Sequence, residues 1–421
     1  MNIFLAKSDK EKNSFKWTAA SGIVYSLSTL IFMATVTQVL GKDVAAIYAI
    51  ATMVAQQLLT VGRFSVRNYQ ASDVKGRFTF GDYFTFRTLS VGAMLIGTVG
   101  WIYFAGYRGE TMIVVFLICL YRMFECVGDV CEGLYQQRLR VDVSGRSMFW
   151  KNVIINAGFV IAILVTKKLV VAAATAAVLS GVVVCVIDIP LVKHFDRFSW
   201  HFNGRVMASL LIAVLALFVS SFLYVYINNS PKYAIENVMG KASVEFTDFT
   251  AIFMPVFAVD LLASFTMRTW ITKMAICFKD GKWKELGGYV IKQLMIIALI
   301  TAVSMAGMYF LGGKILSFIY GVDLDGYSLE STVLMLAGGM VAVYNLFENI
   351  TIIYRHQHIG IVLNVVSGII AMIVVPILTK VYGVMGASLG YLAVNTARAI
   401  MYAVVAWIYT VIERRKPREA Q

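Results

Sequence analysis

Apolar residues dominate this chain in twelve long stretches, at 15–39, 43–65, 84–106, 110–132, 148–166, 169–192, 206–228, 249–272, 287–311, 329–353, 358–379 and 384–411. Short polar segments separate them. The hydrocarbon core of a bilayer takes about 20 apolar residues per crossing helix, so each stretch reads as a span. Lipid offers no hydrogen bonds to an open backbone, and a helix satisfies its peptide groups within one segment. The pattern predicts an all-α polytopic membrane protein with about 12 transmembrane helices and little mass outside the bilayer.

The pattern also repeats. Tyr121-Arg122-Met123-Phe124-Glu125 lies in the fourth stretch and Tyr344-Asn345-Leu346-Phe347-Glu348 in the tenth. Ile163-Leu164-Val165-Thr166-Lys167 follows the fifth and Ile377-Leu378-Thr379-Lys380 follows the eleventh. Small-residue runs come next, at 172–177 and 386–390, and such runs suit close helix packing. The offset is an even number of spans, so the halves share one orientation. Two parallel six-helix halves are expected, an N-terminal lobe over 1–199 and a C-terminal lobe over 200–421. The first half has about ten extra residues near Tyr135 to Ser147, where Gln136-Gln137-Arg138-Leu139-Arg140 reads as a helix continuing out of the membrane.

Charge orients the chain. Assigning loops alternately to the two sides places 25 Lys and Arg on one side and 8 on the other, with Arg122, Arg268, Lys292 and Arg398 inside spans. By the positive-inside rule both termini are cytoplasmic. The net charge of +13 is then topology and attraction to anionic headgroups, and nucleic acid is not an expected partner. The hydrophilic start, Met1 to Ser14, precedes a long first span without a small-residue cleavage site, so an uncleaved first helix is expected. The five cysteines form no Cys-x-x-Cys pair and suggest no disulfide framework. His356-Gln357-His358 reads as a headgroup-level loop rather than a metal site. No phosphate-binding loop motif occurs, which argues against ATP as the direct energy source, and no cofactor is expected.

The unusual feature is charge inside the membrane. One charge at a helix centre costs about 2.5–3.5 kcal/mol even on lenient insertion scales. The fourth span carries Arg122, Glu125, Asp129 and Glu132, spaced 3, 4 and 3, which places all four on one helix face. Three acids and one base cannot all pair with each other, so the stripe must face protein or a water-filled cavity. The tenth span repeats the theme with Asn345, Glu348 and Asn349. The eighth has Asp260 and Arg268, the twelfth Asn395 and Arg398, the fifth Lys151, Asn152 and Asn156, and the sixth ends with Asp188 and Pro190. Polar faces in both halves, without an ATP motif, predict a secondary transporter working by alternating access.

The chain resembles the polysaccharide-transport branch, the lipid-linked oligosaccharide flippases, of the multidrug/oligosaccharidyl-lipid/polysaccharide exporter superfamily. The resemblance rests on the six-plus-six layout and on Glu132-Gly133-Leu134-Tyr135-Gln136-Gln137-Arg138 with Asp142 and Ser144. It rests also on Asn229-Ser230-Pro231-Lys232-Tyr233, placed after the seventh span, and on Lys279-Asp280-Gly281-Lys282-Trp283-Lys284-Glu285-Leu286 between the eighth and ninth. Lys232 replaces a family Arg, and Ser243-Val244-Glu245-Phe246 replaces a family Gly-x-Phe-Ser turn.

The resemblance implies a polyprenyl-pyrophosphate-linked glycan as cargo, flipped across the cytoplasmic membrane. Arg122, Arg268, Lys292 and Arg398 would meet the pyrophosphate. Asn152, Asn156, Asn345 and Asn395, with Gln56 and Gln57, would meet glycan hydroxyls. Glu125, Asp129, Asp260 and Glu348 would take a coupling proton or sodium ion. A drug or small-molecule exporter of the same superfamily is the alternative, and the four intramembrane cations weigh against cationic drugs. A membrane glycan polymerase or ligase is less favoured. The longest outside segment, near Asn229–Thr247, is only about 20 residues and holds no His, Cys or clear triad.

Overall fold

The computed structural model describes residues 10–73, 76–197, 199–200, 202–240, 243–356 and 358–415. It is all-α. In chain order the helices are α1 (Lys10–Leu40), α2 (Lys42–Arg63), α3 (Val66–Ser72), α4 (Phe80–Ala105), α5 (Gly109–Gln137), α6 (Val141–Thr166) and α7 (Leu169–Val183). There follow α8 (Ile189–Val192), α9 (Gly204–Met239), α10 (Val244–Phe253), α11 (Val256–Asp280), α12 (Trp283–Gly307), α13 (Gly313–Tyr320), α14 (Ser328–Ile353) and α15 (Ile359–Arg415). Eleven helical segments among the described residues are long and apolar enough to cross a membrane. The last of them is 57 residues long and covers two predicted spans. Large apolar side chains such as Ile96, Phe104, Phe310, Phe318 and Trp407 stay exposed. Exposure on that scale would drive aggregation in water and is ordinary against lipid. The protein is a multi-pass membrane protein.

The chain divides into two compact units, one on each side of Val225 and Tyr226, and the division falls within α9. In the first, α2, α4 and α5 pack on one another, and α1 lies along α6. In the second, α11, α12 and α14 pack on one another, and α14 lies along α15. The trio recurs with the same order in the chain. The repeated Tyr-x-x-Phe-Glu segments fall on α5 and α14, the shared member of the trio's contacts in each unit.

Several local features depart from the sequence reading. The predicted loop after the seventh span is helical as far as Met239. Pro231 has no N–H to donate to the Ile227 carbonyl, and the Ser230 hydroxyl donates there instead, at 2.7 Å. Lys232, read as a loop charge, is therefore buried in α9 with its ammonium 5.3 Å from the Phe253 ring centre. Only 240–243 separate α9 from α10, and of these Lys241 and Ala242 lie outside the described residues. The expected continuation beyond Tyr135 is short, covering Gln136 and Gln137 but not Arg138 to Arg140. Helix α5 stops at Gln137, Leu139 turns with φ 57°, and α6 starts at Val141. The last two predicted spans join without a loop at Gly383, whose φ of 60° and ψ of −133° fold α15 back on itself. A Cβ on Gly386 would lie 1.9 Å from the Leu378 carbonyl oxygen, so the two arms touch backbone to backbone there.

On the side where α3 meets α4, Asp73 organises the turn. Its carboxylate accepts from the Arg77 and Phe78 amides at 2.9 and 3.1 Å and from the Tyr83 hydroxyl at 2.9 Å. The Gln137 amide donates to the Asp73 carbonyl at 2.9 Å and ties α5 to the same turn. Burial pushes the Asp73 carboxyl up, but these donors outweigh it and hold its pKa below the ordinary 3.8. A depressed carboxyl stabilises the fold above its unfolded pKa and stops doing so as pH falls through the folded value. Asp73→Ala should therefore lower the thermal midpoint at neutral pH. The gap from wild type should close only as pH falls below 3.8. A gap that is constant from neutral pH to below that value would mean the carboxylate is not the organising group.

Candidate functional site

The acid stripe on α5 sets the site. Each acid must leave water, which costs several kcal/mol per ion unless cations and hydrogen bonds replace the lost hydration. Four neighbouring helices supply cations, and the turn after α7 supplies one more acid. Arg63 ends α2 and Arg67 opens α3, one helical turn apart. Arg87 comes from α4, Lys151 from α6, and Asp188 from the turn after α7.

Glu125 is held by both Arg63 and Arg122. Asp129 meets Arg87 at 2.8 Å, Arg67 at 3.3 Å and Arg63 at 3.9 Å. Glu132 meets Arg67 at 2.7 Å and Lys151 at 2.8 Å. Lys151 also meets Asp188, at 2.9 Å. Among the described residues the network holds five cations and four carboxylates. It carries one surplus positive charge, inside helices that are otherwise apolar.

Backbone irregularities aim these groups. Between α2 and α3, Phe64 and Ser65 both take left-handed conformations, with φ of 45° and 55°. Two such non-glycine residues in a row cost on the order of 1–3 kcal/mol each. Their surroundings hold them. Phe64 stacks on Phe218 with ring centres 3.9 Å apart, and the Ser65 and Ser221 hydroxyls lie 3.1 Å apart. The bend leaves the Gly62 carbonyl without its helical donor. Arg87 and Ser90 donate to it at 2.6 and 2.7 Å. Arg87, fully buried, thus joins the bend to Asp129. On the other flank a π-turn at Val184–Asp188, just ahead of Pro190, swings Asp188 inward.

Six members of the network, Arg63, Arg67, Lys151, Glu125, Asp129 and Glu132, line a pocket together with Tyr25, Tyr121 and Asn152. Arg63 and Arg67 are its most open charges, with side chains 34% and 24% exposed, against 7% for Asp129 and Glu132. Arg63 and Arg67 face the opening, Glu125 is 18% exposed beside them, and Asp129 and Glu132 sit behind.

The other predicted residues fall as follows. The Asn152 amide donates to the Met148 carbonyl and the Asn156 amide to the Ser28 hydroxyl, in the first unit. Gln57 is fully buried, its amide donating to the Phe222 carbonyl at 3.3 Å. In the second unit the Asn345 amide donates to Asp260 at 2.7 Å, and the Tyr402 hydroxyl donates to Glu348 at 3.1 Å. Arg398 is 1% exposed, donates to Asn364 at 2.9 Å and lies 3.8 Å over the Tyr344 ring. Asn395 is fully buried and donates to the Tyr391 carbonyl. Lys292 is exposed beside Tyr289 and joins neither cluster. The Arg268 side chain lies outside the described residues.

Sequence reading missed Arg63, Arg67 and Arg87 as site residues, because they were counted as loop charges of the inner side. The signal was present. Three acids against one base on α5 required cations from elsewhere, and Arg63 and Arg67 are four residues apart at the end of a neighbouring span.

No family model matches the chain. The capsular polysaccharide biosynthesis protein CapF of Staphylococcus aureus is 23% identical over 216 residues. That match spans 50% of this chain and 53% of the relative, about half the length of each. Among solved structures, the inward-facing conformation of a multidrug resistance MATE family transporter of the MOP superfamily superposes with a TM-score of 0.65 at 13% identity, covering 93% of this chain and 96% of that one. The outward-facing conformation of a MATE family transporter gives 0.59 at 13% identity over 99% of both chains. A MOP superfamily transporter from Pyrococcus furiosus, described as having a binding pocket of reverse polarity that suggests a different function, gives 0.58 at 13% identity over 99% of this chain and 98% of that one. At these identities the likeness is one of fold, and the fold is that of the MATE transporters.

The geometry makes Arg87 the group on which the network's shape depends. Arg87→Ala leaves both Asp129 and the Gly62 carbonyl short of a donor and should cost about 3–5 kcal/mol of stability. Arg87→Lys keeps the charge but lacks the fork that reaches both acceptors, so it should recover under half of that loss. Thermal unfolding in detergent reads both variants. An Arg87→Lys midpoint equal to wild type would remove the bridging role.

Proposed function

We propose that this protein is a secondary transporter that flips a polyprenyl-pyrophosphate-linked oligosaccharide across the cytoplasmic membrane by alternating access. The observation that carries the reading is the polar network of the first unit, which holds five cations and four carboxylates and whose two most open charges, both lining the pocket, are the guanidiniums of Arg63 and Arg67. A pyrophosphate that links a polyprenyl chain to a glycan carries two negative charges, and guanidinium forks match phosphate oxygens. The likeness to a capsular polysaccharide biosynthesis protein agrees with a glycan cargo.

In this reading Arg63 and Arg67 receive the phosphate, with Arg122 behind them. Arg122 has an acid partner on its own helix, and Arg398 is enclosed by Tyr344 and Asn364, so neither is as available in this conformation. Asn152, lining the same pocket, would meet the first sugar. The pyrophosphate displaces Glu125 or Glu132 from an arginine rather than entering an empty site. Binding is then an exchange of anions, which keeps the cost of desolvation nearly constant.

Ion coupling belongs to the second unit. Glu125 and Asp129 are each held by arginines, and a coupling ion would have to displace them. Among the described residues Asp260 and Glu348 have no Lys or Arg within 4.0 Å, only the Asn345 amide and the Tyr402 hydroxyl. An intramembrane carboxylate held by neutral donors exchanges a proton or sodium ion at lower cost. Asp260→Asn should abolish the dependence of transport on an ion gradient, measured in proteoliposomes with proton and sodium gradients imposed separately. Gradient dependence unchanged in Asp260→Asn and in Glu348→Gln would remove coupling from this unit.

We place both termini, the segment 193–205 and the turn between α11 and α12, within the predicted loop 273–286, on the cytoplasmic side, on the excess of Lys and Arg there. Single cysteines at 200 and 283 in a cysteine-free background should resist an impermeant thiol reagent in intact cells and react after permeabilisation. Labelling in intact cells would invert the orientation.

The second reading is a drug exporter, supported by the fold likeness to multidrug transporters and by Glu125, Asp129 and Glu132 beside the tyrosines of the pocket. One experiment separates the two. Proteoliposomes are loaded with lipid-linked pyrophosphoryl glycan or with a lipophilic cationic dye. The flippase reading expects movement of the glycan lipid, reduced tenfold or more in Arg63→Gln/Arg67→Gln. Dye movement without glycan movement would establish the exporter.

A further inference from the structure

The pocket holds a second arrangement that phosphate recognition does not use. Lys151 Nζ sits between two carboxylates, 2.8 Å from Glu132 Oε1 and 2.9 Å from Asp188 Oδ2. The other oxygen of each carboxylate is already fixed. Glu132 Oε2 takes Arg67 at 2.7 Å, and Asp188 Oδ1 takes the Ser147 hydroxyl at 2.8 Å. The Tyr135 hydroxyl donates to the Asp188 carbonyl at 3.2 Å and steadies the π-turn that carries this acid. Each of the two oxygens facing Lys151 thus belongs to a carboxylate that is also anchored by a contact independent of Lys151. Gly128 clears the point between these oxygens. A Cβ on it would lie 2.8 Å from Lys151 Nζ and 3.0 Å from Asp188 Oδ2.

A point charge between two converging, separately anchored carboxylate oxygens is the geometry of a monovalent-cation site. We propose that the Glu132–Asp188 pair is such a site, and that the protein occupies it with its own Lys151 ammonium as a tethered cation. The first unit then needs no external alkali ion to neutralise these acids. Lys151 is unlike the arginines of the network in this respect. A lysine is a compact charge on a flexible stem, whereas a guanidinium reads two acceptors with a flat fork. The position is also reachable, because Glu132 and Lys151 both line the pocket. This inference shares the pocket with the flippase reading but does not need the cargo to be a glycan lipid.

The test replaces the tether and leaves the site. Lys151→Ala removes the side chain beyond Cβ, and propylammonium replaces the missing atoms. Thermal midpoints of purified full-length protein are measured in sodium, propylammonium and tetramethylammonium salts at equal ionic strength. Without a small cation the variant should lose roughly 6 °C or more. Sodium or propylammonium should restore at least half of that loss beyond any effect on wild type, and the bulky tetramethylammonium should not. Adding Glu132→Gln and Asp188→Asn should abolish the cation-specific recovery. If Lys151→Ala does not accumulate, Lys151→Ser, which leaves nearly the same space, is purified with propylammonium present throughout and the ion then exchanged. Absence of recovery, equal recovery by tetramethylammonium, or recovery that survives neutralising both acids would each reduce Lys151 to an ordinary ion-pair partner. The result is independent of cargo, so it stands or falls separately from the flipping assay.

Discussion

Charge compensation in a medium of low dielectric is the constraint on which the first unit is built. Four carboxylates of one polar network lie within apolar helices, and none is tolerable alone. Their partners come from α2, α3, α4, α5 and α6, so folding the unit and neutralising the acids are one event. A change at one cation leaves a carboxylate buried and unpaired, which is why such networks respond to single substitutions more than their surface counterparts do. The network holds one more cation than acid, and in the proposed reading an anion that enters it completes the balance.

The helices are shaped by what they must present. The left-handed pair Phe64–Ser65 turns the end of α2 so that Arg63 and Arg67 both reach α5. The π-turn after α7 carries Asp188 to Lys151. The Ser230 hydroxyl keeps α9 helical through Pro231 and so buries Lys232. Each irregularity is held by a specific side-chain contact, and each lies beside a charge inside the membrane. The two units share a trio of packed helices and a repeated Tyr-x-x-Phe-Glu segment but have diverged in chemistry. In the first, the tyrosine ring faces Arg122 beside an ion-paired Glu125, with 4.7 Å from guanidinium to ring centre. In the second, Tyr344 lies under Arg398, and Glu348 is held by Tyr402. The repeat kept the tyrosine, arginine and glutamate while the arginine moved to a different helix. One unit is dense in permanent ion pairs, and the other offers carboxylates held by neutral donors.

The helical architecture was legible because a membrane span has only one cheap backbone solution, and apolar length reports it directly. The face of α5 was legible because Arg122, Glu125, Asp129 and Glu132 are spaced for one helix side. Their partners were not. Arg63, Arg67 and Arg87 sit near span ends, where sequence cannot separate a loop charge that sets topology from a buried one that pairs across helices. The helix through Pro231 was hidden because its rescue depends on one hydroxyl rotamer. The join at Gly383 was hidden because a hairpin without loop residues reads as two spans and a gap. Arg398 looked like a phosphate ligand from its depth alone, and only the coordinates show Tyr344 and Asn364 enclosing it.

The central claim is that the surplus cation of the first unit selects an anion, and binding tests it without transport. Affinity of purified protein is measured for three lipids with one polyprenyl chain: the pyrophosphate, the uncharged alcohol, and an alkylammonium. The account predicts that the pyrophosphate binds tenfold or more tightly than the alcohol, that the ammonium binds no better than the alcohol, and that Arg63→Gln/Arg67→Gln erases the preference. Equal affinity for all three, or preference for the ammonium, would contradict it.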